Sequence, residues 1–188
     1  ICACLVGSEM CIRDRLWALA TPDIMNKWVE SLLEYYRVGG WLPNGPPGVE
    51  YCDIMGAQHE IPLMVSAYQK GIRNYDVDKA YEAVKKTLTT QGTALSSGGI
   101  VGNRHLDVYL KYGFVPYGEK SHHNVFGTTY EGPTSNTLEY AFDDWNAAQF
   151  AKALGYEEDY DYFTRRAYNY KNVFDSETKY VRPKYSDG

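Results

Sequence analysis

The sequence predicts an all-α fold built from successive helical hairpins, and three observations support this prediction. Apolar and aromatic residues recur every three or four positions in the long segments of the chain, as in helices that bury one face. Gly, Pro and Ser concentrate between those segments, where they favour turns and loops. No motif recurs with a period of about 34 residues, so the pattern does not indicate a solenoid of repeated helix pairs.

The first three helices are placed by the signals at their ends. The first helix starts after Thr21, with a Pro in its first turn, and ends at the glycine pair that closes on Gly40. The second begins near residues 58–60, and the third begins at Asp76 or Asp78. The positions predicted to be buried are Ile24, Trp28, Leu32 and Tyr36 in the first helix, and Val77, Ala80, Tyr81, Val84 and Leu88 in the third.

The second half of the chain alternates loops and helices. Residues 92–102 are predicted to be a loop, residues 103–113 a short helix, residues 113–133 a second long loop and residues 134–154 a long helix. A last helix is predicted over residues 157–175, with one face made of Tyr160, Phe163, Ala167, Tyr170 and Phe174. The long connections, which we expect at one end of the fold and in a functional role, are residues 40–58, 92–102 and 113–133.

Composition limits the class of partner. The 188 residues suffice for one ordinary domain, and their formal net charge of −5, without a basic stripe, argues against a nucleic-acid partner. No run of about 18 apolar residues predicts a membrane span. The 18 Tyr and 4 Trp can stack on sugars or bases, but packing of their rings between helices is the favoured interpretation.

The N-terminal residues are treated separately from the fold. The stretch "CLVGSEMCIRDR" resembles the conceptual translation of a sequencing adapter, and it offers neither the ligand spacing of a zinc site nor the basic and apolar regions of a signal peptide. We therefore expect residues 1–15 to be a non-native, adapter-derived scar, and residues 16–188 to be the folded part.

Three acids in the helix 134–154 are the first candidates for chemistry. Glu139 and Asp143 are four residues apart and share a face, whereas Asp144 points about 100° away from Asp143. Two carboxylates on one helix face cannot approach a sugar ring from opposite sides, as an acid and a base of a glycosidase must. The acids can hold hydroxyl groups, accept bonds from a nearby Arg or Tyr, or form only a solvated or salt-bridged helix edge.

Two residues in the loops are further candidates. His59 lies where a loop becomes a helix, so its imidazole either faces a ligand or serves in capping and packing. Trp41 follows a Gly pair and can stack on a sugar or close one end of the helical array. These residues alone indicate a helical domain with polar and aromatic loops, and they do not define a reaction.

Six blocks of the sequence, in order, resemble glycoside hydrolase family 92. The resemblance extends from about Leu16 to Gly188. The blocks are "SLLEYYRVGGWLP", "MGAQHEIPLMVSAYQKGI", "DVDKAYEAVKKT", "YLKYGFVP", "SNTLEYAFDDWNAAQFAKALG" and "YFTRRAYNYKNVFD". Each block is weak alone, and it is their shared order and spacing that make the resemblance specific.

The resemblance implies a fold and a reaction. It implies part of an (α/α)6 barrel, about half of a six-hairpin toroid, from a calcium-dependent exo-α-mannosidase that inverts the anomeric carbon. An inverting enzyme needs an acid at the leaving oxygen and a base at a water across the ring, and Ca²⁺ can clamp vicinal hydroxyls. The partners implied are terminal mannose of glycans, with α-1,2 the expected linkage, and the remainder of the same catalytic domain. A secreted or periplasmic location follows from the same resemblance.

The resemblance also limits which residues of this chain have roles. The family's acid, base and calcium ligands follow the segment that ends in "VRP", so no catalytic residue and no metal ligand is expected here, and the isolated chain is expected to be inactive. The residues expected to contact or support the mannose are His59, Trp41, Asp143 and Asp144. The alternative is a non-catalytic helical scaffold or a carbohydrate-binding module.

Overall fold

The structure is a computed structural model, and it describes residues 16–43, 51, 57–95, 100–118 and 132–188. The expectation for residues 1–15, and most of the three long connections, lie outside the described residues. The elements in order are α1 (residues 16–20), α2 (Pro22–Gly39), α3 (Glu60–Gln69), α4 (Val77–Thr89), β1 (Thr93–Ala94), β2 (Ile100–Val101), α5 (Leu106–Tyr112), α6 (Pro133–Leu154), α7 (Glu157–Ala167) and a 3-10 helix (Tyr168–Val173). The predicted all-α class is confirmed.

The predicted helix ends are confirmed for α2 and α4. Gly40 adopts the left-handed conformation, with φ 76°, and its N–H donates to the Tyr36 carbonyl at 2.8 Å. Asp76 caps α4, because its Oδ1 accepts from the Lys79 N–H at 2.9 Å. Thr21 begins α2 without a capping bond from its side chain. Local end signals therefore set these boundaries, and tertiary contacts did not override them.

The buried face of α2 differs from the predicted stripe. Ile24 is 50% exposed, whereas Met25 and Val29 are completely buried beside the predicted Leu32 and Tyr36. Apolar residues also lie on either side of the buried face of α2. The spacing of apolar residues in the sequence therefore did not define which side of the helix faces α3 and α4. The buried face of α4 is confirmed at Ala80, Tyr81, Val84 and Leu88, with Val77 only partly buried.

Two other predictions need correction. The segment 92–102 is not only loop, because Thr93 pairs with Val101 and Ala94 with Ile100 in a short antiparallel ladder. The predicted helix over residues 157–175 changes at Ala167 to a 3-10 helix. A 3-10 helix has 3.0 residues per turn instead of 3.6. Side chains after Ala167 therefore no longer point to the same side of the helix as Phe163. Consequently, Phe163 is buried while Tyr170 and Phe174 are exposed by 43% and 48%.

The core is built around α3 and α6. In α3 nearly every side chain from Glu60 to Ala67 is buried, so this helix has no solvent face in its first two turns. The 22-residue α6 packs against α3, α4, α7 and the 3-10 helix. A helix that is buried on most sides must place its polar residues in protein, and those residues form the candidate site.

Candidate functional site

His59 sits immediately before α3 and faces α6. Its side chain makes no capping bond to α3, so the capping alternative is wrong. Its Nε2 lies 3.2 Å from Glu139 Oε2, and its Nδ1 lies 3.7 Å from Asp143 Oδ1. The two acids therefore share one helix face, as their i,i+4 spacing predicts, and both reach the same imidazole. We call His59, Glu139 and Asp143 the imidazole cluster.

Exposure falls steeply across the imidazole cluster. The side chain of Glu139 is 43% exposed, that of His59 is 13% exposed and that of Asp143 is 0% exposed. The Asp143 Oδ2 accepts the backbone N–H of Gln58 at 2.9 Å. Burial raises the pKa of the Asp143 carboxyl, while His59 and the Gln58 N–H act in the opposite direction. The cluster thus extends from a buried anchor to a carboxylate in solvent.

Asp144 belongs to a different buried cluster. Arg166 bridges both of its oxygens, with Nε 3.1 Å from Oδ2 and Nη2 2.7 Å from Oδ1, and the Tyr109 hydroxyl donates to Oδ2 at 2.8 Å. Arg166 Nη1 also donates to the Leu88 carbonyl at 2.8 Å. Burial raises the pKa of the Asp144 carboxyl to about 7, against the lowering effect of Arg166 and Tyr109. Through Tyr109 and Arg166, this carboxylate in the middle of α6 is linked to α4, α5 and α7.

The interpretation of these acids as a solvated helix edge is wrong for Asp143 and Asp144. Both have an exposed fraction of 0%, and Asp144 has the Arg and Tyr partners that the sequence left open as an alternative. A buried carboxylate is stable only with such partners. Glu139 alone among the three acids retains contact with solvent.

Trp41 reaches the same region from the loop after α2. Its ring contacts Lys86, whose Nζ is 4.7 Å from the ring centroid, and its Cζ3 would lie 2.8 Å from a Cβ at Gly102. Gly102 has φ 71°, so both its conformation and its packing favour glycine. The Gly102 carbonyl accepts from Gln58 Nε2 at 3.3 Å. Trp41 therefore connects to the imidazole cluster through Gly102 and Gln58.

The four candidate residues divide into two groups. His59 and Asp143 are in contact, and Trp41 is linked to them through Gly102 and Gln58. Asp144 instead links α6 to α4, α5 and α7. The sequence did not predict Gln58 as a partner of Asp143 or Arg166 as a partner of Asp144. The residues of these pairs are 85 and 22 positions apart along the chain, so only the folded structure shows that they meet. The only sequence signal was the position of Gln58 next to His59 in the block "GAQHE".

Neither a metal site nor a membrane span is found within the described ranges. No three or more His, Cys, Asp and Glu side chains there are arranged to hold a metal ion. Every helix in those ranges is too short or too polar to cross a membrane. A groove of about 770 Å³ lined by residues between Pro22 and Asn74 contains none of the candidate residues.

Comparison with known proteins gives consistent matches. The model of the glycosyl hydrolase family 92 catalytic domain matches residues 13–188. A protein of Arthroderma benhamiae, named an uncharacterized secreted glycosidase, is 29% identical over 144 residues, which are 76% of this chain and 18% of that protein.

Solved structures from Bacteroides thetaiotaomicron also match. An inverting mannosidase of family 92 superposes with a TM-score of 0.75 at 28% identity, over 89% of this chain and 21% of its own. An α-mannosidase of family 92 in complex with mannoimidazole superposes with a TM-score of 0.73 at 30% identity, over 89% of this chain and 20% of its own. The chain thus spans about a fifth of the length of these relatives.

Proposed function

This chain belongs to glycosyl hydrolase family 92, and on that premise we propose that it is part of the catalytic domain of an inverting exo-α-mannosidase. The substrate of the complete enzyme is terminal α-linked mannose of glycans, with α-1,2 the preferred linkage. The observation that supports this most directly is the similarity over 89% of the chain to a structure described as an inverting mannosidase. Residues 16–188 would supply part of an (α/α)6 barrel, within the residues 13–188 that the family model matches.

The candidate residues form or support one wall of the mannose pocket in this proposal. The imidazole cluster and Trp41 combine carboxylate, imidazole and aromatic groups beside the start of α3 and the middle of α6. Such groups suit a pyranose, whose hydroxyls need acceptors and donors while its C–H faces need aromatic surface. Asp144 stabilises the helix that presents them. The acid and the base belong to the part of the relatives that this chain does not cover.

The described residues do not fit a calcium site. Ca²⁺ takes about six to eight oxygen ligands, whereas no group of three or more ligand side chains occurs among the described residues, and Glu139 and Asp143 share an imidazole between them. In the complete enzyme, calcium would clamp sugar hydroxyls with ligands from elsewhere in the domain. A secreted location is proposed from the Arthroderma benhamiae relative, which is named a secreted glycosidase.

The test is an assay of the complete protein that contains this chain. The protein would be incubated with α-1,2-, α-1,3- and α-1,4-linked mannobiose, with and without a chelator, and the first anomer released would be followed by proton NMR. We expect β-mannose first, fastest release from the α-1,2 substrate and loss of activity with chelator. The isolated chain, assayed alongside, is expected to be inactive. Glycan binding by the complete protein without any hydrolysis would instead favour the carbohydrate-binding module.

A further inference from the structure

We propose that Glu139 is the residue of the imidazole cluster that binds a sugar hydroxyl, and that His59 and Asp143 position its carboxylate. This inference rests on the proposed function, and it changes the expected role of His59 from a sugar contact to a support. Three observations lead to it: the exposure of each member, the atoms that each has available, and an incomplete contact at the buried end.

Exposure selects Glu139 as the ligand contact. A ligand that arrives from solvent meets the Glu139 side chain, which is 43% exposed, before it meets the His59 side chain, which is 13% exposed. Asp143 has no exposed surface and cannot touch a ligand without rearrangement of α6. The edge of His59 is further covered by the Phe142 ring, with centroids 6.4 Å apart at 62°.

The available atoms lead to the same assignment. An imidazole has two ring nitrogens, and both nitrogens of His59 face carboxylates of α6. Glu139 directs Oε2 toward His59, while 43% of its side chain is exposed to solvent. Its second oxygen, Oε1, is therefore the atom that we assign to the sugar hydroxyl, in a charge-assisted bond that is stronger than a neutral one.

The buried end of the cluster shows why support is needed. Asp143 Oδ1 is buried and has no hydrogen bond, although it faces His59 Nδ1 at 3.7 Å. Its partner oxygen is already fixed by the Gln58 N–H. A buried carboxylate oxygen without a bond needs an explanation. The group that faces this oxygen is His59 Nδ1, so the buried carboxylate of Asp143 favours the ring orientation that also presents Nε2 to Glu139.

The three residues are arranged in the same sequence of contacts as a catalytic triad, but their function in this proposal is binding and not nucleophilic attack. A buried acid orients an imidazole, and the imidazole orients an exposed group. Here the exposed group is a carboxylate that binds a hydroxyl and does not attack carbon. Because His59 holds Glu139 Oε2, the direction of Oε1 is also fixed. This fixed direction lowers the entropic cost of binding the sugar.

The experiment compares KM and kcat for α-1,2-mannobiose in the complete protein. Glu139→Gln should raise KM roughly ten- to hundredfold, the equivalent of one hydrogen bond to a charged group, with a smaller change in kcat. His59→Gln should raise KM as well, and the double variant should be no worse than Glu139→Gln alone, because His59 acts through Glu139. Glu158→Gln, at an exposed glutamate in the first turn of α7, is the matched control and should leave KM unchanged.

Each alternative outcome has a defined meaning. If the parent protein hydrolyses no mannoside, the proposed function fails and this inference fails with it. If the parent is active but Glu139→Gln has the parental KM, only the assignment of Glu139 is overturned. If the two single effects multiply in the double variant, His59 contacts the sugar independently and its positioning role is overturned.

Two further measurements separate binding from folding. Because Glu139 is half-exposed, Glu139→Gln should retain the parental Tm. Glu139→Asp keeps the charge but shortens the side chain, so it should also raise KM.

Discussion

Asp143 and Asp144 are neighbours in the chain, yet their surroundings give them different tasks. Helical geometry turns their side chains about 100° apart, so one meets His59 and the other meets Arg166. The first lies behind the exposed end of the imidazole cluster, and the second joins four helices. A substitution at either position therefore needs a separate interpretation, although both would alter the same three-letter block "DDW".

Removal of Arg166 should destabilise the complete domain in a pH-dependent way. Arg166→Met leaves a buried carboxylate unpaired, which costs about 3–5 kcal/mol. The pKa of Asp144 is already raised by burial to about 7, and loss of the guanidinium raises it further. The folded state then holds a proton that the unfolded carboxyl, with a pKa of about 3.9, releases, so stability falls as pH rises above about 4.

Urea unfolding at pH 5 and pH 8 checks this prediction. Arg166→Met should lose more stability at pH 8 than at pH 5. The double variant Arg166→Met/Asp144→Leu should recover part of the loss, because it removes the unpaired charge. Equal destabilisation at both pH values would show that Arg166 acts only through packing.

At the scale of secondary-structure elements, the sequence predicted the features set by neighbouring residues, such as the start of α4. It did not predict the contacts between residues far apart in the chain. The start of α4 follows from Asp76, whose cap is a contact within four residues. The change from α7 to a 3-10 helix has no such signal, since Phe163, Ala167 and Tyr170 are spaced for a regular α-helix. The shared face of Glu139 and Asp143 was predictable from helix geometry. Their meeting with His59 was not, because it requires α3 to pack on α6.

The turn that follows the 3-10 helix provides a test at this scale. The Arg182 guanidinium donates to Asp175 Oδ2 at 2.8 Å and, with the Glu177 N–H and the Thr178 hydroxyl, holds the pKa of the Asp175 carboxyl well below its usual range. This turn is joined to the tail by a bridge between Phe174 and Val181. The ionised carboxylate thus helps to fix the tail against the end of the helix.

The pKa of Asp175 should rise toward its ordinary value in Arg182→Gln. A lowered pKa means that the contribution of this group is present above the unfolded pKa of about 3.9 and is lost as pH falls through the folded pKa. NMR titration of the side-chain carboxyl carbon measures the shift directly. Arg165→Gln, at an exposed arginine in the last turn of α7, is the control and should leave the midpoint in place. An unchanged midpoint in Arg182→Gln would assign the low pKa to the backbone donors instead.

At the scale of the whole molecule, thirteen large apolar or aromatic side chains of the described residues are exposed. Exposed large apolar side chains occur on several helices and gather in the C-terminal segment. Those on helices are Leu16, Leu19, Ile24, Val38, Leu110 and Trp145, and those near the C-terminus are Tyr168, Tyr170, Phe174, Tyr180, Val181 and Tyr185. Single exposed apolar residues are ordinary, but grouped ones indicate a surface that another part of a protein covers. In the proposed partial barrel, the rest of the catalytic domain would cover such a surface.

The isolated 188-residue chain is therefore expected to be marginally stable and prone to aggregation. Anilinonaphthalene sulfonate should bind it strongly, while the complete catalytic domain should bind little dye, because the rest of the barrel covers these faces. Trp145→Gln offers a matched pair of readouts, since it removes a half-exposed ring in the isolated chain, which the rest of the proposed barrel would bury in the complete domain. It should lower dye binding in the first and lower Tm in the second, where loss of a buried aromatic costs about 3–5 kcal/mol. A monomer that unfolds cooperatively with little dye binding would instead mean that the chain forms a self-sufficient fold.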